Sequence, residues 1–103
     1  MLDEKKLDEL RTKHGKLHIR AVDDTDFVLR APSRLEYRKW KADIQDERKK
    51  LDASELLLLP CIVYPEPQDF QAMLDERPAL ADTLGLQLLE IAGMTKAVEK
   101  KLP

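Results

Sequence analysis

The chain is poor in the residues on which chemistry most often rests. It has one cysteine, Cys61, and two histidines, His14 and His18, among 103 residues. A lone cysteine excludes an internal disulfide. The start MLDEKKLDELRTKHG is charged throughout and unlike an apolar export segment, so a reducing, cytosolic setting is expected. A tetrahedral zinc site wants four ligands in recognisable pairs, and there is no CxxC. His14 and His18 are four apart, but Gly15 and a strand-like pattern separate them, so they read as ordinary polar residues. The three glycines, Gly15, Gly85 and Gly93, lie far apart, which excludes a glycine-rich phosphate loop.

Long apolar runs are also missing. The most apolar stretch, Leu56 to Tyr64, is nine residues without a charge, well short of the roughly 20 that a membrane span needs. Carboxylates are plentiful but sit in DD and DE surface runs, with no apolar pocket to shift their pKa values. Cys61 lies within LLLLPCIVY, where a cysteine is more often an inert buried thiol than a nucleophile paired with a distant histidine. The expectation is a protein that is not an enzyme and uses no metal and no cofactor.

What the chain does have is 43% hydrophobic residues beside 37% charged ones, enough apolar content for one modest core in a single domain spanning 1–103. Its charge is unevenly spread. Residues 1–50 carry a basic excess, whereas residues 51–95 hold one basic residue, Arg77, against eight acidic ones. Two surfaces with different electrostatic preferences follow.

Hydropathy patterning predicts an α+β fold, a small antiparallel β-hairpin packed against a mainly α-helical bundle of four to five helices. Asp3 caps a first helix that Gly15 ends, and with only Leu7 and Leu10 regularly apolar it would be loosely attached over 1–14. KLHIRAV alternates Leu17, Ile19 and Ala21 against Lys16, His18 and Arg20; after the turn DDTD, FVLRA repeats the pattern with Phe27, Leu29 and Ala31. These runs make a hairpin within 15–32 whose apolar side helices must cover. Ser33 with Glu36 matches a capping box, and Tyr37, Trp40 and Ile44 form a stripe able to pack on the hairpin. The helical part runs over 33–93 and leaves 94–103 as a flexible tail.

The segment around Pro60 is ambiguous by periodicity, between a buried strand and a kinked helix. Asp52 with Glu55 looks like a second cap, which favours a kinked, largely buried helix ending before YPEP. A helix from Pro67 or Gln68 buries Phe70, Met73 and Leu74. In the last helix Leu80, Leu84, Leu88 and Ile91 form one stripe, and Leu89 and Leu86 widen it beyond what one-sided packing requires. Such an arc is central to the domain or shared with a partner, and self-association through it is expected. The other candidate surface is the basic patch RAPSRLEYRKWK, where Arg34, Arg38 and Lys41 with Tyr37 and Trp40 would suit nucleic acid. An acidic second half and a pI near 5.7 weigh against it.

The phrases R-x-P-S-R-x-E-Y, C-I-V-Y-P and ERPALADTLGLQLLEIAG, in that order after a lysine-rich start, resemble the small tail assembly chaperones of long-tailed bacteriophages and prophages. The likeness covers about residues 5–94. It implies a non-enzymatic protein of virion morphogenesis in the host bacterial cytoplasm, absent from the finished particle. Its partners would be the tape measure protein and tail tube subunits, and the partner-binding residues those of the wide arc: Leu80, Leu84, Leu86, Leu88, Leu89 and Ile91. Many members of that family gain a second domain by a frameshift near the end of the short form.

Overall fold

A computed structural model describes residues 2–94; the tail expected over 94–103 lies outside it from residue 95 onward. The described residues form an α+β fold of five α-helices and a three-stranded antiparallel sheet ordered β1-β2-β3.

Helix α1, Glu4–His14, starts where Asp3 accepts the Lys6 amide at 2.8 Å and stops at Gly15, whose φ of 82° suits glycine. Strands β1, His18–Val22, and β2, Thr25–Leu29, pair with Val22 opposite Thr25, leaving a two-residue turn. Asp23 and Asp24 fill it at φ 47° and 65°, the double positive φ of a type I′ turn. Arg77 ties that turn to the end of the fourth helix through Asp23.

The alternation of the first strand is real, but its faces are reversed. Ile19 and Ala21 are exposed, while His18, Arg20 and Val22 are half-buried. Arg20 turns toward the helices, where its Nε donates to Gln87 Oε1 at 2.9 Å, so an aliphatic stem and a hydrogen-bonded guanidinium occupy the place expected for isoleucine. In β2 the consecutive residues Phe27, Val28 and Leu29 are all buried; as the central strand it is covered on both faces.

The segment around Pro60 is a correction. Helix α3, Ala53–Leu58, ends before the proline, and after a turn through Leu59–Cys61 the chain forms a third strand, β3, Ile62–Tyr64, antiparallel to β2. Pro60 can neither donate to Leu56 nor fit against the preceding turn. The β-branched and aromatic residues after it take up the hydrogen-bonding edge that β2 offers. Asp52 makes no side-chain cap; the chain enters α3 through a 3-10 turn at Lys50–Asp52.

Helix α2, Arg34–Asp43, packs chiefly on α3, not on the hairpin as expected, with Trp40 half-buried against the core and Ile44 exposed. Helix α4, Pro67–Glu76, contributes Phe70 and Leu74, and Phe70 meets Phe27 edge to face at 6.2 Å. Helix α5, Leu80–Ile91, is the centre of the domain. Leu80, Ala81, Leu84, Gly85 and Leu88 are buried in one cluster with Phe27, Leu29, Leu57, Leu58 and Ile62 or against it. It approaches α3 tightly at Gly85, where an added Cβ would lie 3.2 Å from Ser54 Cβ. No helix among the described residues is long and apolar enough to cross a membrane.

Candidate functional site

The densest polar constellation joins the end of β2 to the start of α2. Ser33 Oγ accepts the Glu36 amide at 3.1 Å and Glu36 Oε1 accepts the Ser33 amide at 2.8 Å, the expected capping box. The same carboxylate takes both Nη atoms of Arg30, at 2.9 and 2.8 Å. This fork, helped by the Ser33 amide, holds the Glu36 carboxyl down at about 2. The Arg30 amide meanwhile donates to the Cys61 carbonyl at 2.9 Å. The phrases R-x-P-S-R-x-E-Y and C-I-V-Y-P, distant in sequence, therefore meet in one structural unit.

Cys61 is fully buried there, and burial pushes its thiol up to about 11 against the opposing pull of the Arg30 charge. The arrangement describes a packed thiol, not an activated one. A maleimide or disulfide reagent should label Cys61 in the native protein at least about a hundredfold more slowly than in denaturant; equal rates would reopen nucleophilic chemistry at this position.

The basic patch is smaller than its sequence suggests. Arg30 belongs to Glu36, and Lys39 Nζ donates to the buried Asp43 at 2.9 Å. Arg34, Arg38 and Lys41 remain exposed on α2 at spacings of four and three, which places them along one helix face. Lys41 Nζ sits 5.9 Å from the Tyr37 ring centroid, and Tyr37 lies 5.6 Å from Trp40. Both rings are half-buried, so neither is displayed as an open stacking platform.

The apolar arc divides. Leu80, Leu84 and Leu88 are core of this chain and present no surface, while Leu89 and Ile91 are half-buried against that core. Leu86 alone projects outward, 65% exposed. The reading of α5 as a central helix therefore holds for most of the arc, and Leu86 stands outside that core.

Two features escaped sequence reasoning. Leu35 and Leu51, at 77% and 90% exposure, interrupt otherwise polar surface. A groove of about 420 Å³ is lined by Pro32, Ser33, Arg34 and Tyr37 on one side and Ala92, Gly93 and Met94 on the other. Its walls come from distant parts of the chain, so only the fold could join them. His14 and His18 fall in α1 and β1, and among the described residues no cluster of three or more His, Cys, Asp or Glu is poised to hold a metal ion.

The described residues thus form a small three-stranded sheet packed with helices about the apolar helix α5, with the Arg30, Ser33 and Glu36 groups engaged with one another at the start of α2. Residues 10–101 match the family described as a domain of unknown function, DUF6848, and the chain belongs to that family. The solved structure of the uncharacterised protein rbstp2171 from Bacillus stearothermophilus is similar, with a TM-score of 0.79 at 22% identity, covering 92% of this chain and 99% of that one. Such a likeness establishes the shared fold. No curated protein matches the chain.

Proposed function

We propose that this protein is a phage tail assembly chaperone. It binds the tape measure protein and tail tube subunits in the host bacterial cytoplasm and does not remain in the virion. The reading rests on the phrase-level resemblance and is carried structurally by Leu86. That side chain is about two-thirds exposed on a helix whose other side is core, so a client can bury it without disturbing the fold. Half-buried Leu89 and Ile91 and the groove between the start of α2 and the end of α5 extend the surface in this reading. A chaperone for an apolar helical client needs such a patch on an otherwise charged body.

The test is co-expression with the products of adjacent genes, followed by pull-down at low and high salt. A salt-resistant complex with a long helical protein or a tube subunit is expected. Leu86→Asp should weaken it about tenfold or more, the value of losing one buried leucine contact. Full retention by that variant would remove α5 from the interface.

A second reading has one observation in its favour, the exposed row Arg34, Arg38 and Lys41. If the salt-resistant complex fails to form and the chain instead binds a generic duplex with steep salt dependence, that row is the site.

A further inference from the structure

From the geometry of the sheet edge we infer a self-association surface: β1 pairs antiparallel with β1 of a second copy, joining the two sheets edge to edge. Strand β1 is the outer strand of the order β1-β2-β3, and among the described residues no strand lies beyond it. In a two-residue hairpin the closing pair, here Val22 and Thr25, is hydrogen-bonded, so Arg20 and His18 also bond inward, to Phe27 and Leu29. The Arg30 amide bonds to Cys61 on the opposite side, which agrees with even-numbered β2 residues facing β3 and odd-numbered ones facing β1. The backbone groups of Ile19 and Ala21, with Leu17 before them, therefore point to the free edge, a row of donors and acceptors ready for another strand.

The side chains point to the same occupant. Leu17, Ile19 and Ala21 carry the apolar alternation of a covered strand face, yet Ile19 is 41% exposed and Ala21 exposed with it. Pairing centred on Ile19 sets it against its twin and Leu17 against Ala21, completing one apolar strip across both copies. A register centred on Arg20 would set two arginines directly opposite, which is unfavourable. Charge selects a copy of the same strand. The approach to β1 is basic, with Lys13 at the end of α1 and Lys16 after it, and the turn leaving β1 is acidic, with Asp24 beside Asp23, which already pairs with Arg77. An antiparallel pair brings each basic end to the other copy's acidic turn.

Edge strands often carry charges that block pairing. Arg20 does not act so here, because its guanidinium is drawn back to Gln87 Oε1. Its Nη1 also donates to the Ile19 carbonyl at 3.1 Å, and that oxygen keeps a second lone pair for a partner amide. This surface uses the backbone edge of β1 and not Leu86, although Arg20 reaches Gln87 beside it, and it does not rest on the client proposed above.

Sedimentation velocity of the full chain, from micromolar to near-millimolar concentration, tests the inference together with residue-resolved amide exchange. A monomer–dimer equilibrium is expected. Ile19→Lys should raise its dissociation constant about tenfold or more, since the change acts twice across a twofold axis, and Leu86→Asp should leave it unchanged. As concentration rises, exchange should slow at Ile19 and Ala21 and stay constant at His18 and Arg20. If Ile19→Lys fails to fold, the exchange pattern of the unaltered chain decides. A monomer at every concentration, a dimer lost with Leu86→Asp alone, or a dimer without protection at Ile19 and Ala21 would each overturn the inference.

Discussion

Leu84→Asp is expected to abolish the cooperative unfolding transition, while Leu86→Asp, two residues along the same helix, leaves it within about 0.5 kcal/mol of the parent. Leu84 has no exposed surface and sits in the cluster that joins α5 to the sheet and to α3 and α4. Removing a fully buried leucine costs about 2–5 kcal/mol through lost burial and an unfilled cavity. An aspartate there adds several kcal/mol more, because the cluster around it is apolar and leaves its charge desolvated. The sum reaches the whole stability of a domain this size, about 5–15 kcal/mol. Leu86 is already in water, so its replacement changes little besides the surface. Far-UV circular dichroism melts of the two variants side by side make the measurement. A folded Leu84→Asp protein would mean that α5 is not the centre of the core, and the division of the arc would fall with it.

That division marks where sequence patterning stops. Spacing of apolar residues in α5 identified a helix with more apolar surface than one neighbour could cover, and this was right about the helix. Periodicity reports an angle around an axis; it does not say what occupies each direction. The sheet, α3 and α4 fill most of the arc and leave Leu86 outside. The first strand shows the same limit in sharper form. Its period of two was legible, but choosing the buried face by hydrophobicity alone put Ile19 inward. Arg20 won that position through one long-range hydrogen bond to Gln87, a partner invisible until the chain is folded. At Pro60 the sequence offered a cap and a helix breaker in conflict. The breaker prevailed because an unpaired β2 edge was waiting for the residues after it. Local signals fared better where they were self-contained: the Asp3 cap, the Gly15 stop and the Ser33–Glu36 box all form as expected. The Arg30 fork on Glu36 is hidden for the opposite reason, since in the sequence Arg30 opens the run RAPSRLEYRKWK and reads as one more cation of the basic patch.

Because Glu36 serves both the cap and the fork, it couples the sheet to α2. Glu36→Ala should cost about 2–3 kcal/mol, roughly 1 kcal/mol for the cap and the rest for the charge-assisted pair. Among the described residues, Arg30 would be left half-buried with only the Ala31 carbonyl, at 3.3 Å, to accept from its side chain. A pH dependence follows from the same carboxylate. Its folded pKa of about 2 lies below the ordinary 4.5, so the folded state favours the ionised form. The resulting stabilisation is present in full above about pH 4.5, declines as pH falls through the window between 4.5 and 2, and is gone below it. The Glu36 side chain is 26% exposed, and solvent screening reduces the effect to about 1–2 kcal/mol. Glu36→Gln keeps an acceptor for the Ser33 amide but cannot titrate. Thermal melts of the parent and Glu36→Gln proteins should therefore differ most near neutral pH and converge as the pH drops toward 2. Curves that stay parallel throughout that range would show that the fork contributes no titratable stability. Glu36 would then matter to the fold only as the second half of its cap.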